Sequence, residues 1–455
     1  MLSKLIKCWI LFVCLTNLID SLKHQVSIKT RSPLRHHLIR DKKHVKYLNL
    51  RDQLTLLQAR YRKDLTAGYH QPVEDVEDMI YVASVTLGTP KQEFQVVLDT
   101  GSANLWVGDK DCVYESEAMS QQEEPNLPQL IVANGDCPSF CEVLLSESCS
   151  LLCGRECCRV DGIKMLNSFI LNDDKCSNKH RFNQTNSLTY REDGTKFGIH
   201  YGTGSAEGFQ GIDVLCFTPQ FCIPDQTFGQ ATSLAKFFNE QPIDGILGLG
   251  FKSISVNHVT PPLVKAVEEH LIDEPIFTVY MGHFGLKDEM KGGMFTYGGL
   301  DDMNCGPVIA YEPLTSATYW QFNLKGVCVD GYCKRGIMSA ISDTGTSLIA
   351  GPQAIIEQIG AKLGAKFDEE VGAWFIDCNH KGNAVNLEIG SNLYQIKSTN
   401  YILPISEGVC EFGFFAFSTG LGPQWILGDP FLRSYCNIHN IKEKKIGFAL
   451  PLIAP

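Results

Sequence analysis

Val96-Val97-Leu98-Asp99-Thr100-Gly101-Ser102-Ala103-Asn104-Leu105-Trp106-Val107 reads as an apolar strand that runs into a tight turn and out again. The turn returns 244 residues later as Ser342-Asp343-Thr344-Gly345-Thr346. Each copy is followed by an apolar-apolar-Gly triplet, Ile246-Leu247-Gly248 after the first and Ile426-Leu427-Gly428 after the second. The Asp-to-Gly spacing is 149 residues in the first half and 85 in the second, and one insertion at about 113–175 accounts for most of the difference. A lone Asp in such a turn is most often a turn-former or helix cap. Two copies of one element order predict two lobes related by a pseudo-twofold axis.

The surrounding texture is β. Ile80–Leu87, Phe94–Leu98 and Phe277–Met281 are rich in β-branched and aromatic residues and are bounded by Gly, Pro or Asp. Few stretches read as helix: 262–271, 352–363 and a pattern within 33–63. The expected fold is therefore all-β and bilobal, with few short helices and a Cys-rich insert. The expected boundaries are an N-terminal lobe over 71–255, with the insert at 113–175, and a C-terminal lobe over 256–455.

Hydrophobic residues make up 44% and charged residues 20% of the 455, which excludes wholesale disorder. The net charge of -11 argues against nucleic-acid binding. The charge is uneven. Residues 22–63 carry 12 Lys and Arg against only Asp41 and Asp52, while 64–455 carry 26 basic and 48 acidic residues. Such a head can be a solvated tail or a nucleic-acid arm; pairing with the acidic body is the sharper alternative. Ahead of it, Lys4 and Lys7 precede the apolar run Cys8–Leu15, and small or polar residues follow to Ser21, the layout of a signal peptide over 1–21. No later apolar run reaches about 18 residues, so no membrane anchor is expected. Export leaves 16 cysteines, enough for up to eight disulfides. Asn183-Gln184-Thr185 is the one glycosylation sequon.

If the pseudo-dyad brings the two turns together, Asp99 and Asp343 share one site. Thr100, Ser102, Thr344 and Thr346 supply hydroxyls to hold them, and Gly101 and Gly345 admit a close neighbour. Adjacent carboxylates cannot both ionise easily, so one proton is shared. The ionised member can take a proton from water while the protonated one polarises a carbonyl. That chemistry calls for no metal and no cofactor.

These motifs carry a resemblance. VVLDTGSANLWV at 96–107, IHYGTGS at 199–205, PIDGILGLG at 242–250, ISDTGTSLIAGP at 341–352 and WILGDPFLR at 425–433 are similar to those of the pepsin-like aspartic proteases, the cathepsin D and pepsin type. The resemblance covers most of 80–450. It implies an endopeptidase that hydrolyses peptide bonds between apolar residues at acid pH, made as a zymogen, monomeric, and secreted or lysosomal. It makes Asp99 and Asp343 the catalytic pair, Thr100 and Thr344 an interlocked pair beneath it, and Ser102 and Thr346 its outer hydrogen-bond partners. Tyr201, in the glycine-rich tip Tyr201-Gly202-Thr203-Gly204, matches a flap tyrosine that closes over a bound peptide, and Trp106 matches the tryptophan behind it. Ile246 and Tyr319 match cleft-lining positions. The basic head matches an inhibitory pro-segment over 22–70, with Arg60-Tyr61-Arg62-Lys63 near the carboxylates and a mature start between about 64 and 75.

The resemblance also implies bridges Cys112–Cys176 and Cys378–Cys410. Cys216 and Cys222 are close enough to close a local loop. An Asp330-Gly331 hairpin turn would set Cys328 opposite Cys333, and Cys305 is left to pair with Cys436. Such extra bridges look similar to those of nematode digestive aspartic proteases. The insert departs from the family. Its Cys137, Cys141, Cys149, Cys153, Cys157 and Cys158 can form a disulfide-stapled helical hairpin, with zinc the alternative. It can be a surface appendage or shape the cleft from near one end. Two rival functions remain: a catalytically silent peptide-binding relative, which would be expected to lose an Asp or nearby Gly, and a glycosidase with two carboxylates.

Overall fold

The computed structural model describes residues 23–31, 39, 80–115, 175–201, 204–282, 291–417 and 422–452. The signal stretch, the insert from 116 to 174, Gly202, Thr203, nearly all of the 33–63 pattern and the Arg60–Lys63 cluster lie outside them. The architecture is predominantly β. One 13-stranded sheet, one eight-stranded sheet and one four-stranded sheet carry it. The α-helices that lie wholly within the described residues are short: Pro262–Glu268 and Gln353–Leu363 within the two helical patterns, then Ser398–Tyr401 and Asp429–Ser434.

The sequence repeat has a direct structural meaning. Strand Gln92–Asp99 runs parallel to Gly245–Gly248, pairing Leu98 with Leu247 and Asp99 with Gly248. In the second half Tyr332–Ser342 runs parallel to Trp425–Leu427, pairing Ser342 with Leu427. In both halves the strand after the turn comes back antiparallel to the same triplet, Leu105 against Leu247 and Ile349 against Leu427. Each apolar triplet is thus a short buried strand clamped between the two arms of an Asp turn. Its glycine is required by close approach: a Cβ on Gly428 would lie 2.0 Å from the carbonyl oxygen of Thr346. The apolar runs fill the main core, with Val85, Phe94, Val96 and Leu98 on one side and Phe322, Leu324, Ala340 and Trp425 on the other.

The 13-stranded sheet crosses the expected lobe boundary, and part of the basic head does the crossing. Strand His24–Arg31 pairs antiparallel with both Lys291–Tyr297 and Ile80–Leu87. Val26 and Ile28 point into the core while Gln25 and Ser27 face out. Lys23 adds an ion pair to Asp302 at 3.2 Å. The described part of the head is therefore held mainly by a backbone ladder, which its charge did not indicate.

Five disulfides join described residues. They link Cys112 to Cys176, Cys216 to Cys222, Cys305 to Cys436, Cys328 to Cys333 and Cys378 to Cys410. Cys328 faces Cys333 across the turn Asp330-Gly331, whose φ values of 46° and 76° lie in the left-handed region that a two-residue hairpin turn needs to match the right-handed twist of its strands. The insert leaves after Glu115 and rejoins at Lys175. The Val113–Lys175 bridge and the Cys112–Cys176 disulfide close its base.

Candidate active site

Asp99 ends one buried strand and Asp343 follows another, and both carboxyls are almost fully buried, 5% and 2% exposed. Each is held in the same way. Asp99 Oδ1 accepts the Gly101 amide at 2.8 Å and Oδ2 accepts the Ser102 hydroxyl. Asp343 Oδ1 accepts the Gly345 amide at 2.9 Å and Oδ2 accepts Thr346 Oγ1 at 2.8 Å. The turns face each other closely enough that only glycine fits. A Cβ on Gly101 would sit 2.6 Å from Asp343 Oδ1. One on Gly345 would lie 2.5 Å from Asp99 Oδ1 and 3.4 Å from Asp343 Oδ1, so the two carboxyl oxygens are neighbours around one point.

Beneath them the threonines cross. The Thr100 amide donates to Thr344 Oγ1 at 3.0 Å and the Thr344 amide to Thr100 Oγ1 at 2.9 Å. Each hydroxyl then donates to the carbonyl before the opposite Asp: Thr100 Oγ1 to Ser342 at 2.9 Å and Thr344 Oγ1 to Leu98 at 2.6 Å. Every polar group named in this interlock has a partner, which is how such a polar cluster can lie buried between two halves.

Burial pushes both carboxyls above the ordinary range. For Asp99 the charge of Asp343 adds to the push, against hydrogen bonds from Ser102 and Gly101. For Asp343, bonds from Gly345, Thr346, Asp99 and Gly101 oppose burial. The pair titrates as a unit, holding one proton between the two carboxyls. A peptide carbonyl and a water placed between such groups would meet one acid and one base at once, with no covalent intermediate.

Tyr201 is buried at the end of its hairpin, and its amide donates to the Gly204 carbonyl at 2.7 Å. Its hydroxyl accepts from Trp106 Nε1 at 2.7 Å. Ile246 packs in the same cluster as Trp106 and Tyr201. Tyr319 is half-buried against Ile341, Ala350 and Ile426, on the strands that carry the second turn. Asn183 meets Gln92 at the start of the strand that ends in Asp99, its amide donating to Gln92 Oε1 at 2.8 Å, and its Oδ1 accepts from the Thr185 amide and hydroxyl.

Several groups here escaped sequence reading. Phe238 sits edge-on to Trp106 at 5.2 Å and to Tyr201 at 6.2 Å; the aromatic pair Phe237-Phe238 was its only signal. Asn104 clasps the Val256 backbone at 2.8 and 3.2 Å. Asp429 and Arg433, inside a motif already quoted, form a fully buried pair at 3.7 Å. The i, i+4 spacing was the available clue. Glu115, where the insert departs, accepts from Ser205 Oγ at 2.6 Å, one residue beyond the Tyr201–Gly204 tip.

The eukaryotic aspartyl protease family model matches residues 80–129 and 159–451. Aspartic protease 2 of Necator americanus is 41% identical over 83% of this chain and 85% of its own length. Aspartic protease 10 of Caenorhabditis elegans is 34% identical over 97% and 99%. Cathepsin D of Dictyostelium discoideum is 31% identical over 85% and 87%. The twinned Asp turns and this match along nearly the whole body agree: the chain belongs to the eukaryotic aspartyl protease family and is an aspartic-type endopeptidase, a hydrolase acting on polypeptides.

Proposed function

We propose that Asp99 and Asp343 are the catalytic pair, and that the enzyme is made as a zymogen that works at acid pH on peptide bonds between apolar residues. The single observation that carries this reading is the interlock that sets two buried carboxyls around one point. The ionised member of the pair takes a proton from a water whose oxygen attacks the scissile carbonyl carbon, and the protonated member gives its proton to the carbonyl oxygen. The tetrahedral intermediate then collapses with proton transfer to the departing nitrogen, and the carboxyls exchange roles. Tyr201 belongs to the flap over the substrate, with Trp106 bracing it from behind; Gly202 and Thr203, next in sequence, are the further substrate-binding candidates. Ile246 and Tyr319 line apolar side pockets.

The inserted strand His24–Arg31 supports the zymogen reading, because the head can be lost only by unzipping a ladder from the middle of a sheet. The apolar run before it and the disulfides among the described residues fit a secreted or lysosomal enzyme. Among the described residues no helix is long and apolar enough to cross a membrane. A monomer is expected, and Asn183 is the glycan site.

The test is to acidify the purified full chain and add denatured globin. Cleavage blocked by pepstatin, and lost in Asp99→Asn, is expected. Cleavage indifferent to both would sink the assignment. Mass spectrometry should show loss of everything before about residue 75, and an active but unshortened chain would refute the inhibitory head.

A further inference from the structure

Ile39 belongs to the basic head, eight residues beyond its strand. It is buried, 6% exposed, in an apolar cluster with Ala373 and Ile405, against which Val371 and Phe375 pack. Strands Ala373–Ile376 and Ile402–Ser406 belong to the four-stranded sheet, whereas Asp99 and Asp343 extend strands of the other two sheets. Phe375 also lines an open concavity of about 630 Å³, with Lys366, Phe367, Asp368, Glu369 and Glu370. The rim is acidic, three carboxylates to one ammonium. Asp368 Oδ1 fixes it by accepting the amides of Glu370 at 2.9 Å and Val371 at 3.0 Å.

The occupant has the complementary chemistry. Around Ile39 the sequence runs Arg35-His36-His37-Leu38-Ile39-Arg40-Asp41-Lys42-Lys43, an apolar pair flanked by cations. An apolar anchor in a desolvated seat with a charged rim is the layout of a recognition hot spot. We propose that this seat is a docking site, separate from the catalytic cleft, for polypeptide segments in which an apolar side chain is flanked by cations. In the intact chain the head takes it in cis. Once the head has gone, a matching segment of a polypeptide substrate takes it and raises the substrate's effective concentration at the cleft. This rests on the reading that the head is removed.

The probe is a fluorescent peptide with the sequence of residues 33–45, added at pH 5.5 to acid-processed protein whose cleft is saturated with pepstatin. Saturable binding is expected. Ile39→Asp in the peptide, which leaves the protein untouched, should weaken it at least about ten-fold. Glu369→Lys with Glu370→Lys, both exposed, should weaken it and flatten its salt dependence. Without pepstatin, a short substrate extended by the 33–45 sequence should show a lower KM than the bare substrate at unchanged kcat. No saturable binding, displacement of the probe by pepstatin, or equal binding of the Ile39→Asp peptide overturns the docking site. So does a dimer that forms on head loss and excludes the probe. A processed enzyme that cleaves the bare substrate yet fails these tests leaves the zymogen reading standing; a chain that keeps its head at acid pH overturns both.

Discussion

The loop around Asp99 and the loop around Asp343 hold their carboxyls by one pattern: an amide two residues on and a hydroxyl three residues on. What lies behind them differs. After Gly248 comes Leu249, an ordinary core residue; after Gly428 comes Asp429, fully buried against Arg433. Burial pushes the Asp429 carboxyl well up, the Arg433 guanidinium pulls it down, and the charge of Asp343 adds to the push. The repeat duplicates geometry, while ionisation is set by neighbours that the repeat does not copy. A twofold scaffold can in this way carry two chemically unequal carboxyls.

The largest expected effect tests the equality of the pair. Asp99→Asn and Asp343→Asn should each lower kcat by at least about 10³-fold, because the two act as a unit. Their residual titrations should differ. Removing Asp343 takes away a charge that raises Asp99, so the Asp99 carboxyl should fall toward the ordinary range in an NMR titration. An unmoved Asp99 would show that burial alone sets it. Next in size, wherever Asp429 is ionised in the fold, Asp429→Asn leaves Arg433 buried without its counter-charge. Chemical unfolding should show a loss of about 3–5 kcal/mol, where a conservative change at Leu249, such as Leu→Met, should cost under about 1.5 kcal/mol.

A contrast in pH behaviour follows from the same burial. Asp99 and Asp343 titrate higher in the fold than in the unfolded chain, so their contribution to stability is full below about pH 4 and is lost as pH rises through their folded values. His439 runs the other way. Stacked on Phe277 at 4.3 Å and edge-on to Trp320, it is lowered to about 3, chiefly by burial. Its contribution is full above about 6.5 and is lost as pH falls toward 3. His439→Phe should therefore gain roughly 3 kcal/mol relative to wild type between pH 7 and pH 4. Equal pH slopes in the two proteins would show that the imidazole protonates within the fold.

Much of this was legible because repeats and periodicity are local. The two Asp turns, the triplets and the strands around Phe94 and Phe277 lie where period-two patterning puts them, and Gln353–Leu363 starts directly after Pro352. The head strand was partly legible: Val26 and Ile28 alternate with polar residues, but eight residues between cations read first as charge. The packing of Phe238 on Trp106 and the burial of Asp429 against Arg433 were not. Each depends on which chain segments meet across the fold, and one sequence holds no record of that. The insert lies outside the described residues, so its cysteine spacing stays an expectation.

The smallest effect probes the symmetry most directly. Thr100→Val and Thr344→Val each delete a hydroxyl that donates to one carbonyl and accepts one amide, leaving two buried backbone groups short of a partner. Each should cost about 1–3 kcal/mol. The two hydroxyls also touch each other at 3.4 Å, so the double variant should depart from the sum of the singles. If the interlock is shared equally, the two single losses should agree within about 0.5 kcal/mol in urea unfolding at one pH. A larger gap would mean that one loop is held by its own half and the other borrows its order from it. The asymmetry seen in the charges would then extend to the scaffold as well.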